Sequence, residues 1–163
     1  MKQELREMVD TDLDKIRYWR NHPSVNKYMC TQKHITVDDH IKWFNSVSKD
    51  SLHHVFIYEE DTKEIGFVHL KQRNEQTLAF EWGFYIDPKS EKGTGTRMLQ
   101  FVIKKVFNEL KGHKIFGEVL DFNQSSIRLH QRLGFKQEGI LKEHHVIDNN
   151  YCDIICFGLL KNM

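Results

Sequence analysis

The stretch "EKGTGTRMLQFVIKKVF" sets two glycines, Gly93 and Gly95, at the mouth of a long amphipathic run. Glycine takes positive φ at no steric cost and lets a ligand come close to the backbone; a plain turn rarely needs two so near together. A helix starting here presents unpaired N–H groups and the positive end of its dipole, an arrangement that holds anions. Lys92, Thr94 and Thr96 add a cation and two hydroxyls. The chemistry that fits is phosphate binding. A Walker loop is excluded, because no Gly-Lys-Ser/Thr follows Gly95. A dinucleotide fingerprint is disfavoured by the missing third glycine and by an antiparallel strand ahead of the loop. Taken by itself, the loop leaves a structural turn and a phosphate cradle both open.

The elements that must position this loop follow from periodicity. "QELREM" alternates like a strand, and "DTDLDKIRYWRNH" carries Leu13, Ile16, Tyr18 and Trp19 at the spacing of a short amphipathic helix. "HPSVNKYM" bends and adds a further helical turn. In "TVDDHIKWFNSVSKD", Thr36 caps a helix whose apolar face is Val37, Ile41, Phe44 and Val47. "HHVFIYEE", "EIGFVHLKQ" and "TLAFEWGFYI" are β-rich runs parted by polar turns, an antiparallel meander. After the glycine loop, Met98, Leu99, Val102, Ile103, Val106, Phe107 and Leu110 recur with helical spacing up to Gly112. "HKIFGEVL" reads as a strand and "NQSSIRLHQRL" as a helix with Asn123 at its N-cap and Gly134 at its C-cap. Phe135 opens a last pair of strands reaching Leu160. The order β-α-α-β-β-β-α-β-α-β-β is an α/β arrangement, expected as one domain over residues 1–163.

Composition narrows the function. Lys+Arg 24 against Asp+Glu 23 leaves no global basic field, which argues against nonspecific nucleic-acid binding. The apolar runs are too short to span a bilayer and the N-terminus lacks a signal peptide's apolar core, so no membrane partner is expected and the cytoplasm is the expected location. Cys152 and Cys156, four residues apart on one strand, lie about 13 Å from each other, beyond disulfide reach. With Cys30 they are expected to be buried reduced thiols. The histidines outside His40 and His130 show no metal-ligand spacing, and no metal is expected.

"KGTGTRMLQFVIKKVF" followed by "GEVLDFNQSSIRLHQRLGFKQEG" resembles the acetyl-CoA-binding core of the GNAT superfamily of N-acetyltransferases. The resemblance implies a central mixed, mostly antiparallel sheet flanked by helices. It also implies acetyl-CoA as co-substrate, its pyrophosphate on the amides of Lys92, Gly93, Thr94, Gly95 and Thr96. Asn123 would be both cap and coenzyme ligand. Phe84, Tyr85 and Ile86 would run beside the pantetheine, with a strand N–H on the thioester oxygen. The family's usual Arg/Gln is Ser90 here, so that phosphate contact falls to Lys92 or is lost.

"YWRNHPSVNKYMCTQKHITVDDHIKWF" is similar to the nucleotide-sugar N-acetyltransferases of the pseudaminic acid pathway, which acetylate a UDP-linked 4-amino-4,6-dideoxy sugar. That implies an acceptor site with Arg20 gripping the diphosphate, His22, His40, Lys71 and Glu81 nearby, and Tyr85 as an aromatic wall. In the same resemblance Glu118 is the base, acting through water, with Glu81 the second choice. His130, where many GNAT enzymes carry tyrosine, is the acid; an imidazole titrating near 6.5 hands its proton downhill to a thiol near 8.5. Two alternatives stay open: a protein N-terminal acetyltransferase, with a groove between "AFEWGFYI" and the strand starting near Phe135, and a coenzyme-binding module without catalysis. A homodimer is compatible with either.

Overall fold

Strand β1 (Gln3–Glu7) lies at one edge of a seven-stranded sheet in the computed structural model, which describes residues 1–162. A 3-10 turn, Asp10–Asp12, leads into α1 (Leu13–Asn21), and a further turn forms α2 (Pro23–Asn26). Helix α3 (Val37–Ser48) begins where Thr36 Oγ1 accepts the Asp39 N–H at 3.1 Å. The meander follows as β2 (His53–Glu60), β3 (Lys63–Gln72) and β4 (Ala79–Ile86), all antiparallel. Helix α4 (Thr94–Lys104), extended by a π-helical turn to Glu109, crosses to β5 (Lys114–Leu120). Helix α5 (Gln124–Arg132) then precedes the hairpin β6 (Lys136–Ile147) and β7 (Asn150–Leu160). The strand order is β1-β2-β3-β4-β5-β7-β6.

Two cores cover the two faces. Phe80 and Trp82 of β4 point to a core with Met98, Leu99, Val102 and Val106 of α4. On the opposite face Phe67 packs with Ile16, Trp19 and Phe44, and Tyr85 lies beside them. Period two in the strand and 3.6 in the helices put these residues on shared faces. Three sequence expectations are corrected here. Tyr18, Val37 and Ile41 are exposed, and His40 takes the buried place on α3. The left-handed residue after α4 is Lys111, at φ 57°, not Gly112. Cys30 is exposed, while Cys152 is buried and Cys156 partly so.

The feature that makes a site is the β4–β5 junction. This parallel pair is joined only over Ala79–Glu81 and Lys114–Phe116. Beyond it the strands part, each held by its other neighbour: β4 on β3 as far as Ile86, β5 on β7 as far as Leu120. Trp82 sits in the fork against Gly117, where an added Cβ would stand 2.8 Å from the indole nitrogen. Asp87 N–H bonds Ile65 O of β3 at 2.8 Å. Alternation along an antiparallel ladder then turns the Tyr85 and Gly83 amides toward β3. The amides of Phe84 and Ile86 face the fork.

Candidate active site

Two cavities meet at this fork. The larger, about 600 Å³, runs from the start of α4 along β4 to α5 and includes Lys92, Gly93, Gly95, Thr96, Glu118, Asn123 and His130. The smaller, about 320 Å³, lies on the other face among Arg20, Asp39, His40, Trp43, His69 and Tyr85. Met29, Gly83, Phe84 and Tyr85 line both. Gly83 opens the passage, since a Cβ there would meet nothing within 4 Å.

Local structure explains the mouth of the larger cleft. Gly93 caps α4 at φ 93°, a left-handed conformation that disfavours a side chain. Arg97 clamps the turn from behind, donating to both Glu60 carboxylate oxygens at 2.8 and 3.0 Å. The amides of the first helical turn have no intrahelical acceptor. Lys92 and Arg132 stand on either side, with Arg132 Nη2 3.5 Å from Thr96 Oγ1. This cationic rim around free amides fits a pyrophosphate. Thr94 does not take part: its side chain is buried, and both its N–H and its hydroxyl donate to Glu91 O at 3.2 and 2.7 Å. Asn123 caps α5 by accepting the Ser126 N–H at 3.3 Å and also lines the cleft. Arg132 was missed by sequence reasoning, although its spacing from Leu129 puts both on the cleft face of α5.

Glu118 is exposed on β5 and lines the larger cleft. His130 is 2% exposed, and its ring is already engaged. Trp82 Nε1–H donates to Nε2 at 3.1 Å, so the single proton sits on Nδ1 and is given to Ser126 O at 2.8 Å. Burial holds this imidazole below its ordinary pKa. The neutral ring therefore presents no free proton to the cleft, and the acid role expected from the sequence does not fit this geometry.

In the smaller pocket Arg20 is half-buried, and its fork holds the segment between α1 and α3. It donates to Asn26 Oδ1 at 2.8 Å and to Thr31 O at 2.6 Å. Asn21 fastens the same segment by exchanging hydrogen bonds with the Ile35 backbone at 2.8 and 2.9 Å. His40 stacks on Trp43 at 5.1 Å and leaves Nδ1 buried with no partner among the described residues. Burial lowers its pKa, with Arg17 adding to the effect. Tyr85 stacks on Phe67 at 4.7 Å. Three expected acceptor residues fall outside. His22 caps α2 through Nδ1, and Lys71 and Glu81 face each other across β3 and β4, two register pairs beyond His69 and Gly83 of the pocket. A peptide groove between β4 and β6 is also absent, because β5 and β7 lie between those strands.

The neutral histidines give a pH signature. His69 is pushed down to about 4, first by burial and then by His53 and Lys71. In the unfolded chain it titrates near 6.5, so stability is full above that value and falls as pH drops toward 4. His40 and His130 act in the same direction. Urea denaturation at pH 7.5 and at pH 5 should show the loss, and His69→Gln should flatten it. An unchanged slope in that variant would mean His69 carries no such linkage.

Among known proteins, a family model described as "Acetyltransferase (GNAT) domain" matches residues 3–136. The chain belongs to the GNAT acetyltransferases and is a GNAT N-acetyltransferase. It is 30% identical to acetyltransferase PseH of Campylobacter jejuni over 79% of this chain and 80% of that one. It is 25% identical to spermidine N(1)-acetyltransferase of Escherichia coli over 93% and 82%. The structure matches spermidine N-acetyltransferase from Vibrio cholerae, in complex with CoA and spermine, with TM-score 0.91 and 25% identity, covering 98% of this chain and 96% of that one. GNAT acetyltransferases use acetyl-CoA. Among the described residues no helix is long and apolar enough to cross a membrane, and no group of three or more metal-ligating side chains comes together.

Proposed function

We propose that the chain transfers the acetyl group of acetyl-CoA to the amino group of a UDP-linked 4-amino-4,6-dideoxy sugar by direct attack. The larger cleft takes the coenzyme, with its pyrophosphate on the Gly95 and Thr96 amides between Lys92 and Arg132. The Phe84 or Ile86 N–H donates to the thioester oxygen, a preorganised donor where charge develops. Glu118, through water, takes the proton the amine loses on attack. His130 orders the cleft by locking Trp82, and the leaving thiolate takes its proton from water.

The observation that carries the acceptor class is the charge of the smaller pocket. Its walls are the Arg20 guanidinium and the aromatic stacks, and among the described residues Asp39 is its one carboxylate. A polyamine carries several ammonium groups and needs carboxylates to hold them; a diphosphate suits arginine and a uracil or sugar ring suits stacked aromatics. The identity to PseH and the segment from Trp19 to Pro23 favour the same reading.

The test is an acceptor screen with acetyl-CoA, setting UDP-4-amino sugars against spermidine and amino-terminal peptides. Turnover of the sugar above the others is expected; preference for spermidine would overturn the assignment. Arg20→Lys should raise KM for the sugar more than about tenfold. It keeps the charge but loses the fork, and a hydrogen bond to a charged group is worth about 1.5–3 kcal/mol. Because Arg20 also pins the segment carrying Met29, coenzyme affinity is measured alongside. Equal losses for both substrates would make Arg20 a strut and nothing more.

A further inference from the structure

His69 and His53 form a second arrangement with chemical consequences, one the reaction as described leaves unused. His69 lies on β3 opposite Gly83, beside the opening where the two cavities meet. Its Nε2 stands 2.7 Å from Nδ1 of His53 on β2. His53 Nε2 in turn lies 3.6 Å from the carboxylate of Asp50, which is about half exposed. The three side chains form a line from the pocket to the surface.

We propose that His69 and His53 are the proton exit of the acceptor pocket, carrying away the proton that the incoming ammonium must lose before it can attack. The inference rests on the amine-acetylation reading and extends it. An alkylammonium arriving at neutral pH sheds two protons in becoming an amide. Glu118 faces the coenzyme cleft and serves the second, at the moment of attack. The first belongs to the smaller pocket, where the ammonium enters.

The transfer balances on the two rings. In the starting tautomers His69 is bare at Nδ1 and donates Nε2–H to His53 Nδ1, and His53 carries its own proton on Nε2. The ammonium gives a proton to His69 Nδ1, the Nε2 proton moves to His53 Nδ1, and the His53 Nε2 proton leaves to Asp50 or solvent. One proton enters and one leaves, no other bond changes, and solvent exchange restores the starting tautomers. Such a relay needs neutral rings, and the low pKa of His69 keeps it neutral at physiological pH.

The surrounding charges favour outward flow. His53 on β2, Lys71 on β3 and the neighbouring imidazole His54 on β2 oppose a lasting positive charge on His69, and Arg20 on α1 lines the same pocket. Neutral His40 of α3 adds none. Asp39 of α3 lines the pocket mouth and Glu81 of β4 faces Lys71, so the carboxylate in line with the exit is Asp50.

The experiment compares wild type, His69→Gln and His53→Gln from pH 6 to 9 with whichever amine the wild type accepts. Both variants should be slowed about tenfold at pH 7 for an amine titrating near 8, and should recover toward the wild-type rate as the amine deprotonates in solution. Glu118→Gln should show no such recovery. A merely structural pair would lose activity equally at every pH, and that result would overturn the proposal. So would an unaffected His53→Gln, since His53 does not line the pocket. Nitrogen NMR of the imidazoles in the enzyme without acceptor adds a second check; a proton found on His69 Nδ1 in place of Nε2 would also overturn it. Choice of spermidine over a nucleotide sugar would fall on the acceptor assignment alone and leave the pH comparison intact.

Discussion

Replacing Gly83 with valine should stop acetyl transfer while leaving the fold and the coenzyme in place. Gly83 lines both cavities together with its β4 neighbours Phe84 and Tyr85, and a side chain built there touches nothing within 4 Å. Valine suits a strand, and removing an interior glycine stabilises by roughly 0.5–1 kcal/mol, so Tm should hold or rise. The added methyl groups occupy the opening through which the amine reaches the thioester. Reacting atoms must approach to about 3–3.5 Å, and a displacement of about 1 Å costs on the order of 10²-fold. A fall in kcat of at least about 10²-fold is expected, with CoA affinity by calorimetry changed little. Wild-type turnover in a folded Gly83→Val enzyme would mean that donor and acceptor meet elsewhere.

Gly95→Val should strike the other substrate. Gly95 sits in the first turn of α4 and lines the larger cleft, and the nearest atom to an added Cβ is Leu129 Cδ2 at 4.0 Å. The fold accepts the change, because that spacing is ordinary contact and valine costs little in a first helical turn. The branched side chain then stands over the amides assigned to the pyrophosphate. Hydrogen bonds to a charged group are worth about 1.5–3 kcal/mol, so CoA should bind about 10- to 100-fold more weakly. At saturating coenzyme, kcat should return close to wild type. Unchanged affinity in the folded variant would place the phosphates off this loop.

Much of this molecule is local and was legible in the chain. Gly93 and Gly95 ahead of the Met98, Leu99 and Val102 face, Thr36 as a cap and Asn123 before "SSIRLHQRL" each depend on neighbours within a turn or two. Period and capping report such neighbours directly, so the element order, the α/β class and the glycine-led start of α4 followed from sequence. The lining of the smaller pocket did not. Lys71 and Glu81 carried suitable charges, yet the β3–β4 register pairs them with each other outside the pocket. His69, which sequence reasoning passed over, is brought beside Gly83 by that same register.

His130 shows the limit most sharply. Its position on α5 was readable, but its chemistry depends on Trp82, forty-eight residues away in the chain. The indole can reach the ring because β4 and β5 part beyond Glu81 and Phe116 and Gly117 leaves room. Sequence determined which residue types stand on which local faces. Tertiary structure alone decided which nitrogens are already bonded, which cations are committed to the backbone and which strands leave a gap. Those outcomes depend on contacts between segments far apart in the chain, and no periodicity encodes them.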